Sequence, residues 1–223
     1  MTRSAAPPAR GLFVTFEGIE GCGKTTQTAR AAAYLAKQGL AVLATREPGG
    51  TDLGGLLRQA LLHSKDYIDA GAELLLMFAD RRHHLATMIE PALAAGTHVL
   101  CDRYTDASRA YQGAGRRLGE EAVDALHRRW CRLDPDRTYL FDCPVEIALS
   151  RVASRKGASF DRFECEILVF HRRVRAAYRR RARREPRRFL VLDATRSPDE
   201  IFERLARDFD GLLERHFPRR RRA

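Results

Sequence analysis

Residues 12–25 constrain the fold of this 223-residue chain more than any other segment does. An apolar run over residues 12–16 leads directly into a segment with glycines at positions 18, 21 and 23, and Lys24 and Thr25 follow at once. A short apolar run that ends at glycines is typical of a buried strand entering a tight turn. The segment therefore predicts a β-strand, a glycine-rich turn and a helix N-terminus in immediate succession.

The same glycine, lysine and threonine spacing indicates a phosphate-binding loop. Glycines let backbone N–H groups converge on phosphate oxygens, Lys24 can bridge the β- and γ-phosphates, and the Thr25 hydroxyl can ligate Mg²⁺. The alternative is a strand-to-helix turn without a ligand, but the chain has only four lysines and chance seldom produces this pattern. The residues expected to bind a nucleoside triphosphate are Gly18, Ile19, Glu20, Gly21, Cys22, Gly23, Lys24, Thr25 and Thr26.

Composition narrows the class of protein. The formal net charge of +11 comes mainly from arginine, and it suggests either polyanion binding or the steering of an anionic substrate. In residues 171–188, however, apolar residues alternate with arginines as on a solvated helix face. The five cysteines lack metal-ligand spacing, and no segment has the pattern of a signal peptide or a membrane span. We therefore expect a reduced, cytoplasmic protein without a specific nucleic-acid partner.

Apolar runs at residues 12–16, 40–44, 98–101, 138–141 and 189–192 are each short enough for a buried strand. Helical periodicity separates them at residues 25–37, 53–62, 72–95, 120–133, 145–153 and 163–184, and a last helix is predicted over 198–216. This alternation predicts an α/β fold, with a five-stranded parallel sheet covered by helices on both faces. We expect a disordered extension at 1–10, one domain at 11–218 and a basic tail at 219–223.

Three segments with polar and glycine residues lie at places where open α/β sheets bind ligands. Residues 45–51 follow the second strand, residues 102–104 follow the third, and residues 155–162 follow the helix after the fourth. These segments are therefore expected to form the rest of the site.

Together the motifs resemble those of the thymidylate kinase family, whose members phosphorylate dTMP to dTDP with ATP. The resemblance rests on residues 16–27, on the segment Arg-Glu-Pro-Gly-Gly-Thr within 45–51, on residues 76–82, and on Asp-Arg-Tyr at 102–104 followed by Ala-Tyr-Gln-Gly at 110–113. It spans nearly the whole chain. It implies the P-loop NTPase fold with a mobile lid at about 151–164, Mg²⁺ as cofactor and a homodimer.

The resemblance gives two arginines a phosphate-binding role. It implies that Arg46 and Arg103 grip the acceptor phosphate and that Asp102 orients Mg²⁺ or its waters. On residue type alone, Arg46 could instead pair with Glu47, and the Asp102 and Arg103 pair could be a cap or an ion pair.

For the nucleoside, the resemblance implies that Phe78 stacks on thymine and that Arg82, four residues on, donates to a base carbonyl. From the residues alone, Phe78 after four apolar residues favours an ordinary core position. Ser108 and Gln112 resemble polar contacts near the base, Tyr104 an aromatic that crowds the sugar 2′ position, and Glu20 a contact to the 3′-hydroxyl. An acid beside phosphates requires a compensating cation or hydroxyl, unless Glu20 simply faces solvent.

The P-loop has no basic residue before Lys24, so the resemblance implies that the lid supplies the catalytic charge. The candidates are Arg151, Arg155, Lys156 and Arg162, and the sequence does not choose among them. The residues expected to act in catalysis are Lys24, Arg46, Arg103, Arg155 and Arg162.

The expected activity is thus ATP- and Mg²⁺-dependent phosphorylation of dTMP. Two alternatives stay open: a kinase for another nucleoside monophosphate or a deoxynucleoside, and a P-loop ATPase linked to nucleic acid. The first would share the same loop chemistry, and the second would use the basic surface and leave Arg46 and Arg103 without a role.

Overall fold

The computed structural model describes residues 10–64, 66–154, 162–163 and 166–216. Its five strands are β1 (Phe13–Glu17), β2 (Val42–Arg46), β3 (His98–Asp102), β4 (Arg137–Asp142) and β5 (Phe189–Asp193). They form one parallel sheet in the order β2-β3-β1-β4-β5. All five predicted strands are confirmed, each with its ends shifted by two residues or fewer.

The helices that flank the sheet largely follow the predicted periodicity. They are α1 (Lys24–Lys37), α2 (Asp52–His63), α3 (Ala70–His84), α4 (Glu90–Ala94), α5 (Thr105–Ser108), α6 (Glu120–Leu126), α7 (Val145–Ala153), α8 (Leu168–Arg184) and α9 (Pro198–His216). Three π-helical segments extend α3, α5 and α6 at their C-terminal ends, over Leu85–Ile89, Arg109–Gly115 and His127–Cys131.

Two helix predictions differ from the structure. The helix expected over 163–184 begins only at Leu168. The sequence did not predict α5 or the π-helical segment that follows it. Small residues such as Ala107 and Gly113 interrupt the apolar periodicity that would indicate a helix there.

Side chains alternate across the sheet and pack into two cores. Val14 and Phe16 of β1 lie in one core, with α1, α8 and α9, whereas Phe13 lies in the other core, with α3, α4 and α6. Because successive strand residues face opposite sides, a strand covered on both faces needs an unbroken apolar run. The prediction of helices on both faces is confirmed.

The strand register brings three polar strand ends to one edge of the sheet. In the pairing of β1 with β3, Phe16 lies opposite Asp102, and in the pairing of β2 with β3, Arg46 lies opposite Asp102. Parallel strands place all their carboxyl ends at the same edge. The loops expected to bind ligand therefore meet beside β1.

The arginines of α8 pair with carboxylates of neighbouring elements. Arg175 donates two hydrogen bonds to Asp142 at the end of β4, at 2.6 and 3.1 Å, and Arg172 pairs with Glu146 of α7 at 2.7 Å. Arg180 and Arg184 approach Glu120 of α6. Much of the basic charge that the sequence displays is therefore used within the fold.

Asp106 is the most deeply buried member of these ion pairs. Its side chain is 1% exposed and lies against Arg109, Arg181 and Arg188, which come from the segment after α5, from α8 and from the turn before β5. Burial by itself would raise the pKa of Asp106, but Arg188 and Arg109 outweigh it and lower the pKa to about 2. This carboxylate therefore ties three elements together.

Asp106→Asn is expected to lower the free energy of unfolding by about 3 kcal/mol or more, because it leaves buried guanidinium groups without their counter-charge. Urea denaturation followed by circular dichroism at neutral pH measures the change. Glu146→Gln, which breaks the exposed pair with Arg172, is the matched control and should hardly move the transition.

The pH dependence has a defined sign. The folded-state pKa of Asp106 is lowered, so its contribution to stability is complete above the ordinary value of 3.8 and is lost as the pH falls toward about 2. The difference between wild type and Asp106→Asn should narrow over that window. A difference that stays constant down to pH 2 would contradict the assignment.

Candidate active site

A cavity of about 550 Å³ opens at the carboxyl edge of the sheet. The loop after β1, the loop after β2, α3, the end of β3 and the segment after α5 all contribute to its walls. Two of the three segments singled out in the sequence border it, with Arg46 and Gly49 from the first and Asp102 and Arg103 from the second. Residues 155–161 of the third lie outside the described residues, and Phe163, just beyond that segment, lines the cavity.

The glycine-rich loop forms one end of the cavity. Gly21 has a φ of 74°, and a Cβ on it would lie 2.1 Å from the carbonyl oxygen of Ala148, so this position requires glycine. The buried Lys24 donates from Nζ to the carbonyl of Ile19 at 2.9 Å. Ile19 and Cys22 pack in the core, so they can contact a phosphate only through their backbone.

Thr25 and Asp102 lie together at the same end. The Thr25 hydroxyl donates to Asp102 Oδ2 at 2.8 Å, and Oδ1 of the same carboxylate is buried without a hydrogen-bond partner among the described residues. A hydroxyl beside an unsatisfied carboxylate oxygen suits a hard divalent cation such as Mg²⁺. The residues present therefore fit the metal that the sequence implies.

Arg46 and Arg103 both line the cavity. Arg46 is exposed at the end of β2 and does not pair with Glu47, because Glu47 is buried against Arg81 and His84. Arg103 has a positive φ of 72°, which turns the chain back over the P-loop just after β3. The alternative in which Arg46 is simply the partner of Glu47 is wrong.

Glu20 is the centre of a charged network between the loop and the segment after α5. Arg103 donates to its Oε1 at 2.7 Å and the Tyr111 hydroxyl donates to Oε2 at 2.6 Å. Burial by itself would raise the pKa of Glu20, but the charges of Arg103 and Lys24 and the hydrogen bond from Tyr111 outweigh it and lower the pKa. The cation and hydroxyl expected beside an acid in this loop are both present.

Arg81, and not Arg82, faces the cavity from α3. The Arg82 side chain is 44% exposed and donates to Glu90 and to the carbonyl of Trp130, away from the cavity. The Arg81 side chain is 2% exposed and lines the cavity. The expectation that Arg82 points into the pocket is therefore wrong by one position in the helix.

Phe78, which was expected to share the cavity-facing side of α3 with Arg82, also lies one position away from the residue that lines the cavity. Phe78 is buried in the second core, where the Arg81 guanidinium lies 4.7 Å from its ring centroid, and it is absent from the cavity wall. Met77, four residues before Arg81, lines the cavity instead. The core interpretation of Phe78 is confirmed, and the expected ring above the base is replaced by a thioether side chain.

Buried polar groups hold Arg81 in place. Its Nε donates to Glu47 Oε2 at 2.7 Å, its Nη1 donates to Ser108 Oγ at 3.1 Å, and His84 Nδ1 lies 3.1 Å from the other oxygen of Glu47. A guanidinium bound on two sides by fixed partners loses little entropy when it binds a ligand. Arg81 is thus a preorganised donor on the wall of the cavity.

Tyr104 does not occupy the position expected for it. It is fully buried, donates to the carbonyl of Leu133 at 3.0 Å and packs behind Arg81. Tyr111 lines the cavity beside Glu20. The expectation that Tyr104 crowds a bound sugar is therefore wrong, and Tyr111 is the aromatic of this segment that lines the cavity.

Ser108 and Gln112 lie where the sequence predicts, on one face of the segment after β3, and both line the cavity. Gln112 Nε2 donates to the buried Glu73 of α3 at 2.6 Å. The partner Glu73 was not predicted, since an acidic residue in a first helical turn usually serves the helix dipole.

The lid is described only in part. Arg155 and Lys156 lie outside the described residues. Arg162 donates to the carbonyl of Leu61 at 3.0 Å and forms an ion pair with Glu73, so its guanidinium is directed to α2 and α3. Arg151 donates to the carbonyl of Ala194. The described part of the chain therefore does not place Arg162 on the cavity wall, where a catalytic arginine would lie.

The apolar pattern of the helix that contains α3 indicates which of its residues face the cavity. Leu74, Phe78, Leu85 and Ile89 of the helix that contains α3 all pack in the second core. This apolar stripe places Phe78 inside and leaves the face of Met77 and Arg81 for the site. For Glu47 and Glu73 no local signal exists, because their partners are distant in the chain.

Comparisons with known proteins agree with this geometry. The profile of the thymidylate kinase family matches residues 16–205. The chain is 48% identical over 208 residues to thymidylate kinase of Bordetella petrii, covering 92% of this chain and 98% of the relative, and 49% identical over 209 residues to that of Ralstonia nicotianae, covering 91% and 98%.

The fold agrees as well. The crystal structure of thymidylate kinase from Ehrlichia chaffeensis superposes with a TM-score of 0.73 at 30% identity, covering 90% of this chain and 99% of that one. These matches in sequence and in fold each cover most of the chain. The chain therefore belongs to the thymidylate kinase family.

Proposed function

We propose that this protein transfers the γ-phosphoryl group of ATP to dTMP and so produces dTDP. The observation that carries the proposal is that one cavity is lined both by the glycine-rich loop with Lys24 and by two further cationic side chains. Lys24 and the glycine-rich loop suit the triphosphate, while Arg46 and Arg103 suit the phosphate of the acceptor. Beyond them, Arg81, Ser108 and Gln112 offer neutral and cationic hydrogen-bonding groups to a base.

The reaction needs position and charge neutralisation more than a general base. The acceptor is a phosphate monoester whose second pKa is about 6, so it is largely ionised at neutral pH and can attack in line without losing a proton. Arg46 and Arg103 would hold the attacking oxygen, and Lys24 would neutralise charge on the transferring group. Glu20 would orient Arg103, because their 2.7 Å ion pair fixes the guanidinium over the loop.

Thr25 and Asp102 are the residues that would hold Mg²⁺. When bound, the ion neutralises phosphate charge and orients the phosphate oxygens. The unpartnered Oδ1 of Asp102 supports this role, because a buried carboxylate oxygen without a donor is unfavourable unless a ligand supplies a positive charge.

We propose that Arg162 anchors the end of the lid through Glu73, which leaves Arg151, Arg155 and Lys156 as candidates for the catalytic charge. The ion pair with a fully buried carboxylate supports the anchoring role, because breaking it would leave Glu73 with one fewer counter-charge. Arg155 stays a prediction from the sequence.

The rival function of a nucleic-acid-linked ATPase has less support. Three of the α8 arginines that suggested it, Arg172, Arg175 and Arg180, are paired with Glu146, Asp142 and Glu120. Phosphate binding to them would have to replace existing ion pairs. A kinase for a different nucleotide shares the phosphate chemistry, and only acceptor choice separates it from the proposal.

We also propose a cytoplasmic homodimer. The free thiols of Cys22, Cys101, Cys131 and Cys143 support a reducing compartment. No helix among the described residues is both long and apolar enough to span a bilayer.

The neighbouring helices α2 and α3 expose Leu53, Leu56 and Leu75, at 45%, 70% and 60%, which supports association of two copies through this side.

The function is tested by measuring ADP formation with ATP and Mg²⁺ against dTMP, dUMP, dCMP, dAMP, dGMP, UMP and thymidine. We expect dTMP to give the highest rate and dUMP a weak one. Lys24→Ala and omission of Mg²⁺ are the controls, and each should remove turnover while dTMP still binds in calorimetry. Hydrolysis independent of acceptor, or a preference for another nucleotide, would contradict the proposal.

The base site is tested by comparing two adjacent arginines. Arg81→Lys should lower kcat/KM for dTMP by about tenfold to a hundredfold, because lysine cannot reproduce the fixed donor fork between Glu47 and Ser108. Arg82→Ala should leave it nearly unchanged. The reverse order of effects would restore Arg82 as the base contact.

The dimer is tested by sedimentation velocity over a range of protein concentrations. Leu56→Glu should shift the protein toward monomer, because it places a charge in an apolar contact. Ile147→Glu introduces the same charge at an exposed position of α7 and should not. Equal sedimentation of both variants and wild type would count against this face.

A further inference from the structure

Gln112 presents an unusual arrangement on the cavity wall. Its side-chain Nε2 donates to Glu73 Oε1 at 2.6 Å, and its Oε1 is buried without a hydrogen-bond partner among the described residues. An amide carbonyl that is buried and unsatisfied in a binding cavity is a ready acceptor for a ligand N–H group.

Glu73 determines which atom of the Gln112 amide is left without a hydrogen-bond partner among the described residues. The carboxylate is fully buried, and it accepts hydrogen bonds from Arg116 Nε at 3.1 Å and from Arg162 as well as from Gln112. Held between two guanidinium groups, it offers only acceptors. Turning the amide over would set Gln112 Oε1 against a carboxylate oxygen, so the amide has one favourable orientation.

The resulting pattern of donors and acceptors matches one class of nucleobase. Arg81 supplies donors and contacts Ser108, and Arg81, Ser108 and Gln112 all line the same cavity. A donor beside an acceptor complements an imide edge, which carries a carbonyl oxygen and a ring N–H. Cytosine presents an amino group and an unprotonated ring nitrogen and would meet both groups with the wrong polarity.

We propose that Glu73 is a positioning residue for base selection: it fixes the Gln112 amide with Oε1 as the acceptor, so the site selects an imide base over cytosine. The inference rests on the proposed function, since it concerns the acceptor site of that reaction. Selection against cytosine would then depend on the Glu73 carboxylate, which acts through Gln112 and does not contact the base itself. Thymine and uracil share the imide, so Glu73 does not separate them.

The test is the ratio of kcat/KM for dTMP to that for dCMP, measured for wild type and Glu73→Gln. A glutamine at position 73 can pair with Gln112 in either amide orientation, so the ratio should fall about tenfold or more, the order expected when one neutral hydrogen bond loses its direction. The ratio for dTMP to dUMP should not change. Thermal unfolding of each variant verifies that it is folded.

Two further variants separate positioning from a general structural effect. Arg116→Gln removes another partner of Glu73 but keeps the contact with Gln112, and it should preserve the ratio for dTMP to dCMP even if the rate falls. The exchange Glu73→Gln with Gln112→Glu keeps the buried charge and returns an acceptor oxygen to the cavity. It should recover the preference for dTMP.

Each outcome decides the inference. An active Glu73→Gln enzyme with the wild-type ratio overturns it and leaves the proposed function standing. If Glu73→Gln does not fold, the exchanged variant decides, and its failure to prefer dTMP over dCMP overturns the inference. A wild-type enzyme that does not phosphorylate dTMP overturns the proposed function first, and this inference with it.

Discussion

The pairing of buried guanidinium groups with buried carboxylates is the interaction on which the rest of this structure depends. The chain has 40 lysines and arginines against 29 aspartates and glutamates, so cationic partners for buried acids are in excess. Asp106 contacts three arginines and Glu73 contacts two. A desolvated charge is tolerated only when it is paired, so these carboxylates determine how the helices after β3 and α8 pack.

The presence or absence of a carboxylate partner distinguishes arginines that stabilise the fold from arginines that can bind a ligand. Arg175 and Arg188 are held by Asp142 and Asp106, and their charge is spent within the fold. Arg46 borders the cavity and has no ion-pair partner among the described residues. A net charge of +11 thus does not spread evenly as a phosphate-binding surface. Lys24, Arg46 and Arg103 place positive charge at the carboxyl edge of the sheet, where a ligand can meet it.

Local sequence predicted the parts of the site whose chemistry is local. Lys24 and Thr25 follow a strand and a glycine turn, and Arg46, Asp102 and Arg103 follow strands whose ends must meet in a parallel sheet. The predictions that failed for Phe78 and Arg82 concern the phase of a helix. Pairs at 78 and 82 and at 77 and 81 have identical spacing, and a shift of one residue rotates a helix face by about 100°. Because Phe78 packs in the second core, Met77 and Arg81 are the pair that faces the cavity.

The sequence by itself determined the order of strands and helices, the phosphate-binding loop and the edge of the sheet where ligands bind, because these follow from periodicity and residue type within short segments. Only the tertiary structure decided that Arg81 is the donor in the cavity, that Tyr111 replaces Tyr104 on its wall and that Arg162 is held by Glu73. Those choices depend on which distant carboxylate or apolar face each side chain meets. Such long-range contacts exist only once the helices have packed, so no local pattern specifies them.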